Sequence, residues 1–108
     1  MSGEGKLKTY SEEEIKDRLT SLPEWRYENG FLIREYSTKN WRETIFLVNT
    51  IASLAEAHWH HPDMEVGYKK LKIKLTTHEA GGITDRDFKL VSEIEKTVCS
   101  LLKRWHSL

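Results

Sequence analysis

The chain has 108 residues with 17 basic and 17 acidic side chains, so one domain with a self-sufficient core is expected and two of ordinary size are not. A formal net charge of zero, spread along the chain, lacks the electrostatic footprint of direct nucleic-acid binding, and the single cysteine, Cys99, excludes an internal disulfide framework or a thiolate cluster. No apolar run approaches the roughly 18 residues of a membrane span, and Met1 to Lys8 has no signal-peptide core, so a cytoplasmic protein with no membrane partner is expected.

Residues 1–8, MSGEGKLK, are small, charged and aperiodic and read as a flexible tail, with the domain over 9–108. Ser11 and Glu14 form a capping-box pair, and Ile15 and Leu19 follow four apart, which predicts a helix over 12–20. Pro23 ends it. Trp25 to Glu28 and Phe31 to Tyr36 are short aromatic or branched runs around Asn29-Gly30, a pair suited to the positive backbone angles of a type I′ turn, and they predict a hairpin. Asn40 with Glu43 caps a long helix reaching Ala57 or His58, with Trp41, Ile45, Val48, Ala52 and Ala55 as its apolar stripe, widened by Leu47, Ile51 and Leu54.

After Pro62 and a polar bend, Tyr68 to Thr77 alternates: Leu71, Ile73 and Leu75 on one face, Lys70, Lys72 and Lys74 on the other. Gly81-Gly82 breaks this strand. Thr84 with Asp87 starts a last helix whose inward face carries Phe88, Val91, Ile94, Val98, Leu102 and Trp105. The expected fold is α+β: a single domain with an antiparallel sheet, helices packed on one face, and element order α-β-β-α-β-β-α. Trp25, Trp41 and Trp105 are expected in the core or an interface, and Cys99 as a small buried hydrophobe. Leu101, Leu102 and Trp105 are candidates for an apolar face left over for another copy.

Three of the five histidines stand in His58-Trp59-His60-His61, where the long helix must end, and His78 lies just past the alternating strand. Element ends can aim side chains at a shared site, and imidazole both gives and accepts a proton near neutral pH, which suits a reaction needing an acid and a base together. Glu56, one turn before His60, and Asp87, in the first turn of the last helix, are carboxylates able to orient an imidazole. Plainer readings exist for each. Histidines at a helix C-terminus favour the macrodipole, Asp87 serves as partner of the Thr84 cap, and Glu56 can be a solvated helix residue. Zinc is a rival reading, since His58 and His61 stand three apart and His78 or Glu56 could add a ligand, but no HExxH or Cys-bearing pattern is present and Pro62 argues against a helical His61.

The segment from Glu56 through His60-His61-Pro62, then the strand, then Thr77-His78-Glu79, Gly81-Gly82 and Asp87 resembles the pterin-4a-carbinolamine dehydratase family, with its E-x-x-x-H-H-P, T-H-E and helix-start D. The resemblance covers about residues 9 to 105. It implies a hydro-lyase, a 4a-hydroxytetrahydrobiopterin dehydratase, taking a 4a-hydroxytetrahydropterin to quinonoid dihydropterin and water in tetrahydropterin recycling. No cofactor and no metal are implied, because the oxidation state does not change. Carried over, His61 and His78 match the principal acid and base positions, His60 the third imidazole, and Glu56 and Asp87 the supporting carboxylates. Trp59, His60, His61, Pro62, Thr76, Thr77, His78 and Glu79 match the substrate-holding segments, with Trp59 standing where several members have an acidic residue. The family also implies a homodimer or homotetramer. A non-enzymatic pterin-binding or protein-dimerisation module of the same fold is the alternative.

Overall fold

The computed structural model describes residues 7–106, so most of the expected tail, residues 1–6, lies outside the described residues. Ser11 accepts from the Glu14 N–H while the Glu14 carboxylate accepts from the Ser11 N–H, and this reciprocal cap opens α1, Glu12–Leu19. Only Ile15 of α1 is fully buried. The hairpin follows as β1, Trp25–Glu28, and β2, Phe31–Ser37, and both turn residues, Asn29 and Gly30, have positive φ, as a type I′ turn requires.

Helix α2, Trp41–His58, starts on the Asn40 side chain, which accepts from the Glu43 N–H. Its buried line is Thr44, Leu47, Ile51 and Ala55 with Glu43, not the stripe beginning at Trp41. The apolar arc is wide enough to be drawn two ways, and the packed centre falls on the residues expected to be its flank. Trp41 is exposed and stacks on Tyr68 at an interplanar angle of 9°.

The supposed polar bend after Pro62 contains an edge strand, β3, Asp63–Gly67, paired antiparallel with β4, Lys70–Leu75; Tyr68 and Lys69 make the turn between them. The sheet order is β1-β2-β4-β3, antiparallel throughout. Register places Leu32, Arg34 and Tyr36 of β2 opposite Leu75, Ile73 and Leu71 of β4. This face meets the helices, and the other carries Lys70, Lys72, Lys74, Glu35, Asp63 and Glu65. Helix α3, Asp85–His106, covers the core face with Phe88, Leu90, Val91, Ile94 and Val98. The fold is therefore the expected α+β arrangement, in the expected order.

Several residues sit differently from expectation. Cys99 is exposed, because it follows the buried Val98 by about 100° around α3 and turns away from the sheet. Leu101, Leu102 and Trp105 are half-buried rather than a bare face, and Trp105 meets the Phe46 ring edge-on at 4.3 Å. Among the described residues, the exposed large apolar side chains are Leu7, Trp41, Trp59, Val66 and Tyr68. Glu43, buried, accepts from the Lys39 N–H and pairs with His106 at 2.7 Å, joining the end of α3 to the first turn of α2. α2 and α3 thus run antiparallel, and the end of α2 lies beside the start of α3. No described helix is long and apolar enough to cross a membrane.

Candidate active site

Helix α2 stops in a Schellman arrangement, in which the Trp59 N–H donates to the Glu56 carbonyl and the His60 N–H to the Ala55 carbonyl. Trp59 takes the left-handed position, φ 51° and ψ 45°, which glycine usually fills. The reversal separates the two adjacent histidines: His60 turns in, at 6% exposure, and His61 stays outside. The Trp59 indole is 68% exposed and meets the His61 ring edge-on at 5.2 Å.

His60 Nε2 lies 2.6 Å from Asp87 Oδ1. Asp87 is fully buried, and its other oxygen accepts from the Thr77 hydroxyl at 2.7 Å and the Thr84 N–H at 2.8 Å. Thr77 and Thr84 join through their hydroxyls at 2.8 Å, and Thr84 Oγ1 accepts from the Arg86 N–H. An ionised carboxylate only accepts, so the three groups around Asp87 are donors and His60 carries its proton on Nε2. Asp87 is both the cap partner of α3 and the anchor of His60, so the plainer reading and the functional one describe the same atoms.

His61 Nε2 lies 3.0 Å from Glu56 Oε1, with both side chains exposed. Glu56 therefore serves His61 and not His60, the ring one turn further on. His78 opens a single 3₁₀ turn, His78–Ala80, directly after Thr77, and is exposed with its ring edge toward Phe31 at 6.4 Å. A bridge between Thr77 and Gly82 closes this turn, with Gly81 at φ 75°. Pro62 and Thr76 are half-buried and take no part in these hydrogen bonds.

Arg86, absent from the sequence reading, gives one terminal nitrogen to the Glu79 carboxylate at 2.7 Å and the other to the Trp59 carbonyl at 2.9 Å. Hydrogen bonds from its own N–H and from Arg86 hold the Glu79 carboxyl below the usual carboxylate range. The signal for Arg86 was a cation in the first turn of a helix, where the macrodipole disfavours it. Among the described residues, no three His, Cys, Asp or Glu gather closely enough to hold a metal ion, so the spacing of His58 and His61 finds no completed ligand set. Clefts of about 620, 430 and 350 Å³ elsewhere include none of His60, His61 and His78. The arrangement presents two exposed imidazoles, His61 and His78, on segments joined beneath them through one buried polar cluster.

The family model described as Pterin 4 alpha carbinolamine dehydratase matches residues 8–97. A relative in Aquifex aeolicus, assigned by name to pterin-4-alpha-carbinolamine dehydratase, is 57% identical over 97 residues, covering 90% of this chain and 98% of its own. One in Chloroflexus aurantiacus with the same name is 41% identical over 86 residues, covering 80% and 92%. Among solved structures, a transcriptional coactivator/pterin dehydratase from Brucella melitensis superposes with a TM-score of 0.77 over 82% of this chain and 97% of its own. At 23% identity that likeness concerns the fold. A pterin dehydratase-like protein described as a RuBisCO assembly factor in the alpha-carboxysome has a TM-score of 0.55 at 14% identity, covering 67% and 83%.

Proposed function

Because the chain belongs to the pterin 4 alpha carbinolamine dehydratase family, we propose that it removes water from a 4a-hydroxytetrahydropterin in tetrahydropterin recycling, using His61 and His78 as the acid and base. One imidazolium donates its proton as the carbon–oxygen bond breaks, and the hydroxyl leaves as water. A neutral imidazole takes the proton from the adjacent ring nitrogen, whose electron pair forms the new carbon–nitrogen double bond of the quinonoid dihydropterin. Oxidation state is unchanged, so the step calls for no redox cofactor, and the two imidazoles carry the proton transfers. A positioned acid or base contributes roughly 10² to 10⁴ in rate.

The observation that carries this reading is the unequal treatment of the histidines. His60 is buried and fixed on Asp87, whereas His61 and His78 are exposed on the two flanking segments and free to meet a ligand. Glu56 orients His61; Asp87 and Thr77 hold His60 and the base of the His78 turn. Trp59, Pro62, Thr76 and Glu79 complete the ligand-holding surface, with the Trp59 indole offering a stacking face for the flat pterin in place of a carboxylate. A scaffold or assembly module would have no physical need for two exposed imidazoles beside a carboxylate-anchored third, which favours the enzyme over the non-enzymatic alternative.

The test is dehydration of 4a-hydroxytetrahydropterin by metal-stripped protein, measured against the spontaneous reaction. Retained acceleration is expected. No acceleration by intact protein overturns the proposal, and loss on stripping alone restores the metal reading. We also propose a homodimer or homotetramer, supported by the exposed Trp41, Val66 and Tyr68 at one end of the sheet. Light scattering at micromolar concentration reads the mass, and a monomer would reject it.

A further inference from the structure

We infer that Arg86 is a positioning residue that clamps the two histidine-bearing segments to each other. Its two terminal nitrogens reach partners 20 residues apart in sequence: the Trp59 carbonyl, next to His60 and His61, and the Glu79 carboxylate, next to His78. Besides Arg86, the two segments are joined by the buried Asp87 cluster beneath them and by the β3–β4 ladder that begins at Asp63 opposite Lys74.

The clamp has three physical supports. Arg86 sits at the second position of α3, where a cation opposes the helix dipole, so its partners there must compensate. Its backbone is held, because the Arg86 N–H donates to Thr84 Oγ1, which belongs to the buried cluster, and the guanidinium reaches out from that anchored turn. Finally, the carbonyl it holds belongs to Trp59, a non-glycine residue in left-handed backbone, a strained conformation that persists where neighbours enforce it. A lysine ammonium is a single point and cannot present two nitrogens to partners on opposite sides as the planar fork does.

The inference rests on the proposed dehydratase reading for its consequence in catalysis but not for its geometry, and the experiment separates the two. Amide hydrogen exchange is followed in Arg86→Gln at Trp59 and His60 and at Ala80 and Gly81, all of which donate to backbone carbonyls in the intact protein. Faster exchange at both pairs, by roughly ten- to a hundredfold as expected for losing charge-assisted hydrogen bonds, with β2 and β4 amides unchanged, is the expected result. Unchanged exchange at either pair, or equal acceleration across the sheet, overturns the clamp. Should Arg86→Gln not fold, Arg86→Lys supplies the same comparison. In turnover, Arg86→Ala should lose roughly ten- to a hundredfold in kcat/KM and regain part of it with millimolar guanidinium but not with equal sodium chloride, a rescue that a purely structural loss would not show. Loosened exchange in a protein whose wild type dehydrates no pterin would leave the clamp standing and remove the dehydratase proposal. Loosened exchange with wild-type kcat/KM in the variant would overturn the positioning role.

Discussion

Replacing Asp87 by asparagine keeps the shape of the buried side chain and changes one oxygen into a donor. The carboxylate meets three donors: His60 Nε2 at 2.6 Å, the Thr77 hydroxyl at 2.7 Å and the Thr84 N–H at 2.8 Å. Thr84 N–H can only donate, so the amide oxygen of the substituted side chain must stay on its side and the new amide group must face His60. His60 Nε2 then has to accept, and its proton moves to Nδ1. Hydrogen bonds to a charged group are worth about 1.5–3 kcal/mol against about 1 for neutral pairs, so weakening three of them costs roughly 2–3 kcal/mol. For a domain near this length that is a fall in Tm of about 8–20 °C. Asp87→Ala strands all three donors and costs about 3–5 kcal/mol, a large share of a typical stability. Thermal unfolding reads the first quantity, and nitrogen-15 NMR of the His60 ring reads the tautomer. An Asp87→Asn protein with unchanged Tm and the His60 proton still on Nε2 would refute the account of this cluster.

His61→Ala and His78→Ala should each lower turnover by roughly 10² to 10⁴ with circular dichroism unchanged; wild-type rates in both would remove them as acid and base. The enzyme-dependent rate, corrected for the spontaneous reaction, should be bell-shaped in pH, because one imidazole must be protonated while another is neutral, and the flanks belong to the coupled set; a flat profile would show that histidine proton transfer is not limiting. Burial pushes the Glu43 carboxyl up, but hydrogen bonds from the Lys39 N–H and His106 outweigh it and its pKa lies below the ordinary value. Its stabilisation is therefore present above the unfolded pKa and lost as pH falls through the folded one. Between about pH 5 and pH 2, Glu43→Gln should lose less stability than the wild type in denaturant titrations, and parallel pH curves would contradict it.

Local signals carried most of the fold. The Ser11–Glu14 box, the Asn29-Gly30 turn and the Leu71-Ile73-Leu75 alternation are each read within a few residues, and each stands where the pattern placed it. The strand Asp63–Gly67 was hidden because it is an edge: only Met64 is half-buried and the rest is exposed, so its composition is that of a loop and its identity comes from the partner β4. The candidate site divides in the same way. The residue types and their spacing were legible, but the opposite fates of His60 and His61 depend on one left-handed residue at Trp59, which propensity would never assign to tryptophan. Arg86 was missed because its partners are distant in sequence, and only the folded chain brings Trp59 and Glu79 to one guanidinium.

The double duty of Asp87 bears on how descendants of such a chain would decay. A lineage released from catalysis could shed the solvent-facing rings of His61 and His78 at little cost, since neither holds the core together. It could not shed Asp87 as freely, because the same carboxylate closes the first turn of α3 and satisfies the Thr77 and Thr84 donors beneath it. Among chains of this shape, retention of the buried aspartate and threonines therefore tracks selection for folding, and on the proposed dehydratase reading retention of the outer histidines tracks selection for chemistry.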